Sequence, residues 1–109
     1  MDTRIVNDVT VVTLMKRFDS DTAPGVETAI KELIAKGGEK IVCDFSDVEY
    51  INSTGLRVLL SAVKAMSKSG GRFNICSLRP SVRNVFEIAG FTKIFRIFGS
   101  CEEALEEMA

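Results

Sequence analysis

Apolar residues recur along this chain with two different periods, and the changes of period divide it into strands and helices. Val9, Val11, Val12 and Leu14 form a β-rich run behind a shorter one at Arg4-Ile5-Val6, and Asn7-Asp8 between them suits a hairpin turn. From about Thr22 to Ala35, Val26, Ala29, Ile30, Leu33 and Ile34 recur at helical spacing. Thr22 and Pro24 are start signals for that helix, and Gly37-Gly38 is its stop. Lys40 to Phe45 is short with a continuous apolar centre, the pattern of a buried strand. Leu56, Leu59, Leu60, Val63 and Met66 then lie on one helical stripe that ends at Gly70-Gly71.

Phe73, Ile75 and Leu78 mark a further strand, and Pro80 opens a helix carrying Val82, Val85, Phe86 and Ala89, stopped by Gly90. A last strand is expected from Ile94 to Phe98. Ser100 and Glu103 have capping-box spacing for a short acidic helix with Ala104, Leu105 and Met108 turned inward. Strands alternating with helices predict an α/β fold with right-handed crossovers. The sheet should be mixed and mostly parallel, of four or five strands with about four helices, its antiparallel part coming from the opening hairpin. At 109 residues, with no repeat or linker, residues 1–109 read as a single domain.

Composition narrows the function. The 46% hydrophobic and 27% charged residues are those of an ordinary folded domain. A net charge of −1 from 14 basic and 15 acidic residues offers no general attraction for nucleic acid or an anionic membrane surface. No apolar run approaches the roughly 20 residues of a membrane span, and Met1-Asp2-Thr3-Arg4 has no signal-peptide pattern, so a cytoplasmic protein is expected. Cys43, Cys76 and Cys101 are odd in number and lack CxxC spacing, which favours reduced cysteines over bridges or metal ligands. The absence of histidine removes the commonest general base, and no nucleophile–base pair can be named. A non-enzymatic module without cofactor or metal is the expectation.

The densest chemistry lies in Asp44-Phe45-Ser46-Asp47-Val48-Glu49-Tyr50-Ile51-Asn52-Ser53-Thr54-Gly55-Leu56, which joins a strand end, a polar loop and a helix start. Binding sites in α/β sheets gather at the carboxyl ends of strands. Ser53 or Thr54 suits the N-cap, where a hydroxyl accepts from an unpaired helix amide, and Gly55 lets another surface come close. On local chemistry alone this is also what a plain capped helix looks like.

The same segment resembles the signature of the STAS domain, in particular of bacterial anti-sigma factor antagonists, whose pattern runs D-[LF]-S-x-V-x-[FY]-[IM]-D-S-[ST]-G-L. Phe18-Asp19-Ser20-Asp21-Thr22-Ala23 is similar to the family's L-D-x-x-T-A, and Val82 to Phe91 resembles its third helix and exit. Asn52 stands where the pattern has aspartate, keeping its size and hydrogen-bonding shape without the charge, and Lys16 stands where a glycine is usual. The resemblance implies a STAS-like fold and phosphorylation of Ser53 by a kinase that is also the anti-sigma factor. The unphosphorylated chain would bind that partner and free a sigma factor. The phosphorylated chain would let go until a serine phosphatase restores it, and the output would be transcription regulation.

Asp19 and Asp21 are candidates either for partner contact or for a helix start. Asn52, Ser53, Thr54, Gly55 and Arg57 complete the expected partner-binding set. Tyr50 and Ile51 read as core or rim, and the spacing of Asp44, Asp47 and Glu49 does not guarantee the convergence of oxygen ligands that a magnesium site needs. Two other functions are weighed. A nucleotide- or small-molecule-binding module would use the helix start as a phosphate cradle, without any GxxxxGK[ST] or GxGxxG motif to support it. A constitutive subunit of a larger assembly would bind its partners regardless of Ser53.

Overall fold

The structure, a computed structural model, describes all 109 residues. β1 (Asp2–Val6) and β2 (Val9–Thr13) form the expected antiparallel hairpin, in which Asn7 takes the left-handed conformation that the turn demands (φ 58°). β2 then pairs in parallel with β4 (Lys40–Asp44), β4 with β6 (Arg72–Cys76) and β6 with β7 (Arg96–Phe98), giving the five-stranded order β1-β2-β4-β6-β7. The sheet thus grows in one direction. Right-handed crossovers then place α1 (Ala23–Ala35), α2 (Ser53–Lys68) and α3 (Pro80–Ile88) on one face.

That face holds the main core. Ile41 and Cys43 of β4, Phe73 and Ile75 of β6, and Val12 of β2 meet Val26 and Ile30 of α1, Leu59 and Met66 of α2, and Val82 and Phe86 of α3. Phe18, Phe45, Phe86 and Phe95 run through it as edge-to-face contacts with ring centroids 5.8–6.3 Å apart. The opposite face is covered by α4 (Cys101–Glu106) alone, which packs Ala104 and the following Met108 onto Val9, Val11, Val42 and Cys76.

Two expectations are corrected. The last strand starts at Arg96 rather than Ile94, because Gly90 (φ 74°) leads into a 3-10 turn over Phe91–Lys93 that leaves Ile94 outside the sheet and half-exposed. The strand opened by Arg72 stops at Cys76, before Leu78, where Ser77 enters the left-handed region (φ 64°). A second sheet has no counterpart in the hydrophobic pattern. β3 (Arg17–Phe18) pairs in parallel with β5 (Tyr50–Ile51), drawing together the loops that precede α1 and α2.

Candidate functional site

The β3–β5 pair positions the site. Its register sets Phe18 opposite Ile51, and the Asn52 amide donates to the Phe18 carbonyl (3.3 Å), so α2 starts directly against the loop Asp19–Thr22. Gly55 permits that contact. A Cβ there would lie 2.7 Å from the Phe18 carbonyl oxygen and 3.0 Å from Ile51 Cγ1. The surface that Gly55 lets approach is therefore the chain's own β3. Gly55, expected at the partner-binding surface, is buried and acts by placement.

The helix cap also differs from the expectation. Asn52, not Ser53 or Thr54, is the N-cap, and its Oδ1 accepts from the amides of Thr54 (3.0 Å) and Gly55 (3.3 Å). A carboxamide one residue earlier reaches the second and third helical amides, the geometry an N-cap requires. Asn52 Nδ2 also donates to Ser20 Oγ (3.3 Å), and Ser20 Oγ shares a hydrogen bond with Thr54 Oγ1 (3.1 Å). Ser20 is a site residue that sequence reasoning passed over, since only the β3–β5 pairing brings it here.

Ser53 is thereby left as the first residue of α2, exposed, its hydroxyl bonded to no other group of the protein. Arg57, four residues on and also exposed, lies on the same helical face one turn away. A shallow groove between α1 and α2 continues from there, lined by Pro24, Glu27, Thr54, Arg57, Val58 and Ser61.

The two aspartates of the neighbouring loop part ways. Asp19 Oδ1 accepts from the amides of Asp21 (3.0 Å) and Thr22 (3.3 Å), and its Oδ2 meets Arg17 Nε at 3.3 Å. Burial pushes its carboxyl upward, but the two amides and the Arg17 guanidinium outweigh that and hold it below the ordinary value. Asp19 is a brace within the loop. Asp21 is exposed and its carboxylate makes no side-chain bond, so it belongs to the open surface. Thr22 caps α1 by position only, its hydroxyl being directed to the Arg17 carbonyl (2.7 Å). Arg17 also stacks over Tyr50, 4.3 Å from the ring centroid, which makes Tyr50 rim while Ile51 is core.

Elsewhere, Glu49 faces Lys16 (3.8 Å), and Asp44 accepts from the Ser46 amide (2.9 Å), so Asp44, Asp47 and Glu49 do not form one ligand set. Burial pushes the Cys43 thiol well above its ordinary value and raises Cys76 to about 12, so both rest as protonated thiols. The helix start is a poor phosphate cradle, because the Asn52 carboxamide already holds the amides of Thr54 and Gly55. What the arrangement offers is a rigidly framed, exposed hydroxyl beside a groove.

Residues 1–104 match the STAS domain family. The chain is 34% identical over 99 residues to BtrV of Bordetella bronchiseptica, covering 91% of this chain and 85% of that one. It is 30% identical over 99 residues to the anti-sigma-F factor antagonist RsfB of Mycobacterium tuberculosis, covering 91% and 80%. In three dimensions it is similar to the protein TM1081 of Thermotoga maritima, with a TM-score of 0.90 at 30% identity over 97% of this chain and 92% of that one.

Proposed function

The chain belongs to the STAS domain family, and from that premise we propose that it is an anti-sigma factor antagonist whose hold on its partner is switched by phosphorylation of Ser53. The observation that carries this reading is the placement of Ser53. Its hydroxyl is exposed on the first turn of α2, while Ser20, Asn52 and Thr54 around it are hydrogen-bonded to one another. RsfB, similar over most of both chains, bears the name of the same function.

Phosphorylation adds about −1.5 to −2 charges and three acceptor oxygens to a neutral point on the surface. Within the chain that charge is tolerated, because it projects to solvent at the positive end of the α2 dipole, with Arg57 one turn along. Against a docked acidic or apolar surface it is repelled or desolvated. A penalty of about 3 kcal/mol there lowers affinity roughly a hundredfold without unfolding the chain.

The contact surface is formed by Ser20, Asp21, Ser53, Thr54 and Arg57, with Asn52 and Asp19 holding it in shape. The partner is an anti-sigma factor that is also a serine kinase, and a serine phosphatase resets the switch. The chain itself is not an enzyme. No helix of the structure is long and apolar enough to cross a membrane. As an antagonist of an anti-sigma factor, the chain would work beside the transcription machinery in the cytoplasm.

Incubation of the purified chain with ATP and its cognate anti-sigma factor kinase, followed by intact mass and peptide mapping, tests this. One phosphate on Ser53 is expected. An unchanged mass, or a phosphate confined to Ser20 or Thr54, would overturn the assignment.

A further inference from the structure

Three residues that the sequence scatters converge on the sheet face opposite the main core. Asp44 and Cys76 are direct register partners at the carboxyl ends of β4 and β6. Cys76 also pairs with Phe98 of β7, and the chain turns from Phe98 through Gly99 and Ser100 to place Cys101 at the start of α4. A carboxylate oxygen of Asp44 and the sulfurs of Cys76 and Cys101 all lie within 4.8 Å of one another.

Tetrahedral zinc, with Zn–S about 2.3 Å and Zn–O about 2.0–2.2 Å, holds its ligand atoms roughly 3.5–3.8 Å apart. Side-chain rotations that close each gap by about 1 Å would reach that geometry. We propose that Asp44, Cys76 and Cys101 form a zinc site of Cys2Asp type that clips α4 onto the sheet. Two sulfurs select a borderline-soft ion over magnesium or calcium, and three protein ligands leave the fourth position to water.

The surroundings suit such an ion. The Ser46 amide donates to Asp44 Oδ1 (2.9 Å) and fixes the orientation of the carboxylate. Two thiolates and one carboxylate around a dication leave a net charge of −1, and Arg4 Nη2, 3.8 Å from Cys101 Sγ, faces that charge. Binding displaces one proton from each thiol, so two protons pass to the buffer for each zinc bound and no electron is transferred.

The full chain, kept reduced by a phosphine, should be titrated with cobalt(II), and zinc then added. We expect saturation at one cobalt per chain with a near-ultraviolet thiolate-to-cobalt charge-transfer band, and loss of that band on addition of one equivalent of zinc. Cys101→Ser and Asp44→Asn should each weaken binding at least about tenfold. Because Cys76 is buried, Cys76→Ser can lose binding by unfolding. The half-exposed Cys101 and Asp44 variants are therefore decisive, with thermal unfolding of each metal-free variant as the check on folding. Zinc should raise the thermal midpoint of the parent chain and leave that of folded Cys101→Ser unchanged. No charge-transfer band in excess cobalt, or a band and affinity retained by both variants, would overturn the proposal.

Discussion

Asn52 Nδ2 donates to Ser20 Oγ at 3.3 Å, and this bond ties the start of α2 to a loop 32 residues earlier. The same carboxamide caps the helix through its oxygen, so one side chain both ends the loop and begins the helix. Asn52→Ala removes both functions and should cost about 1 kcal/mol, within the 0.5–2 kcal/mol range of N-cap losses. Asn52→Asp keeps the capping oxygen, gains a favourable charge at the helix N-terminus, and can receive a bond from the Ser20 hydroxyl. It should stay within about 0.5 kcal/mol of the parent. Urea midpoints at unchanged m-value report both, and equal loss in the two variants would refute the capping role.

Gly55 holds α2 against β3, with no room for a methyl group beside the Phe18 carbonyl. Gly55→Ala should destabilise by about 1–3 kcal/mol, the usual cost of overpacking. Ser53→Ala, two residues earlier and on the surface, should stay within about 0.5 kcal/mol. The contrast between neighbours is the test. If Gly55→Ala unfolds at the parent's urea concentration, the close approach is softer than the backbone contact implies.

The main elements were legible because their hydrophobic periods were clean. The stripe of α2 and the apolar centre of β4 lie where the pattern put them. The β3–β5 pair was not, since two-residue strands carry no period, and with it went Ser20 and the identity of the cap. Asn, Ser and Thr are all competent caps, so local chemistry alone does not single out Asn52 over the Ser53-Thr54 pair that follows it. The cysteines were hidden for a related reason. Cys76 and Cys101 meet through strand register and the entry of α4, which no local spacing encodes.

Glu107 anchors the end of α4 to the sheet and makes stability depend on acid. The Asn74 amide (2.8 Å from Oε1) lowers its carboxyl pKa most; burial pushes the other way, and Arg72 and Arg96 add to the lowering. A carboxyl whose folded value lies below its ordinary 4.5 binds protons more readily in the unfolded chain. Its contribution is therefore complete above about pH 4.5 and lost as pH falls through the lower folded value. Glu107→Gln should unfold at lower urea than the parent at neutral pH, and the two midpoints should converge on acidification. Parallel curves down to pH 3 would show that the ion pairs contribute nothing measurable.

Arg57 sits one helical turn from Ser53 on the exposed face, so a phosphate on Ser53 would have a cation nearby and the chain should keep its fold when phosphorylated. Two consequences can be separated. Ser53→Asp should fold as stably as Ser53→Ala, because its charge lies at the favourable end of α2, yet bind the anti-sigma factor at least about tenfold more weakly, a difference of roughly 1.4 kcal/mol. In the phosphorylated chain, Arg57 should hold the second phosphate ionisation below its ordinary value near 6, since a nearby cation favours the dianion. Phosphorus NMR titration of the phosphoprotein should then show that ionisation moving upward in Arg57→Ala. A titration unmoved by the loss of Arg57 would mean that the helix dipole alone accommodates the phosphate, while equal binding by Ser53→Asp and Ser53→Ala would mean that the partner does not read the charge at that position.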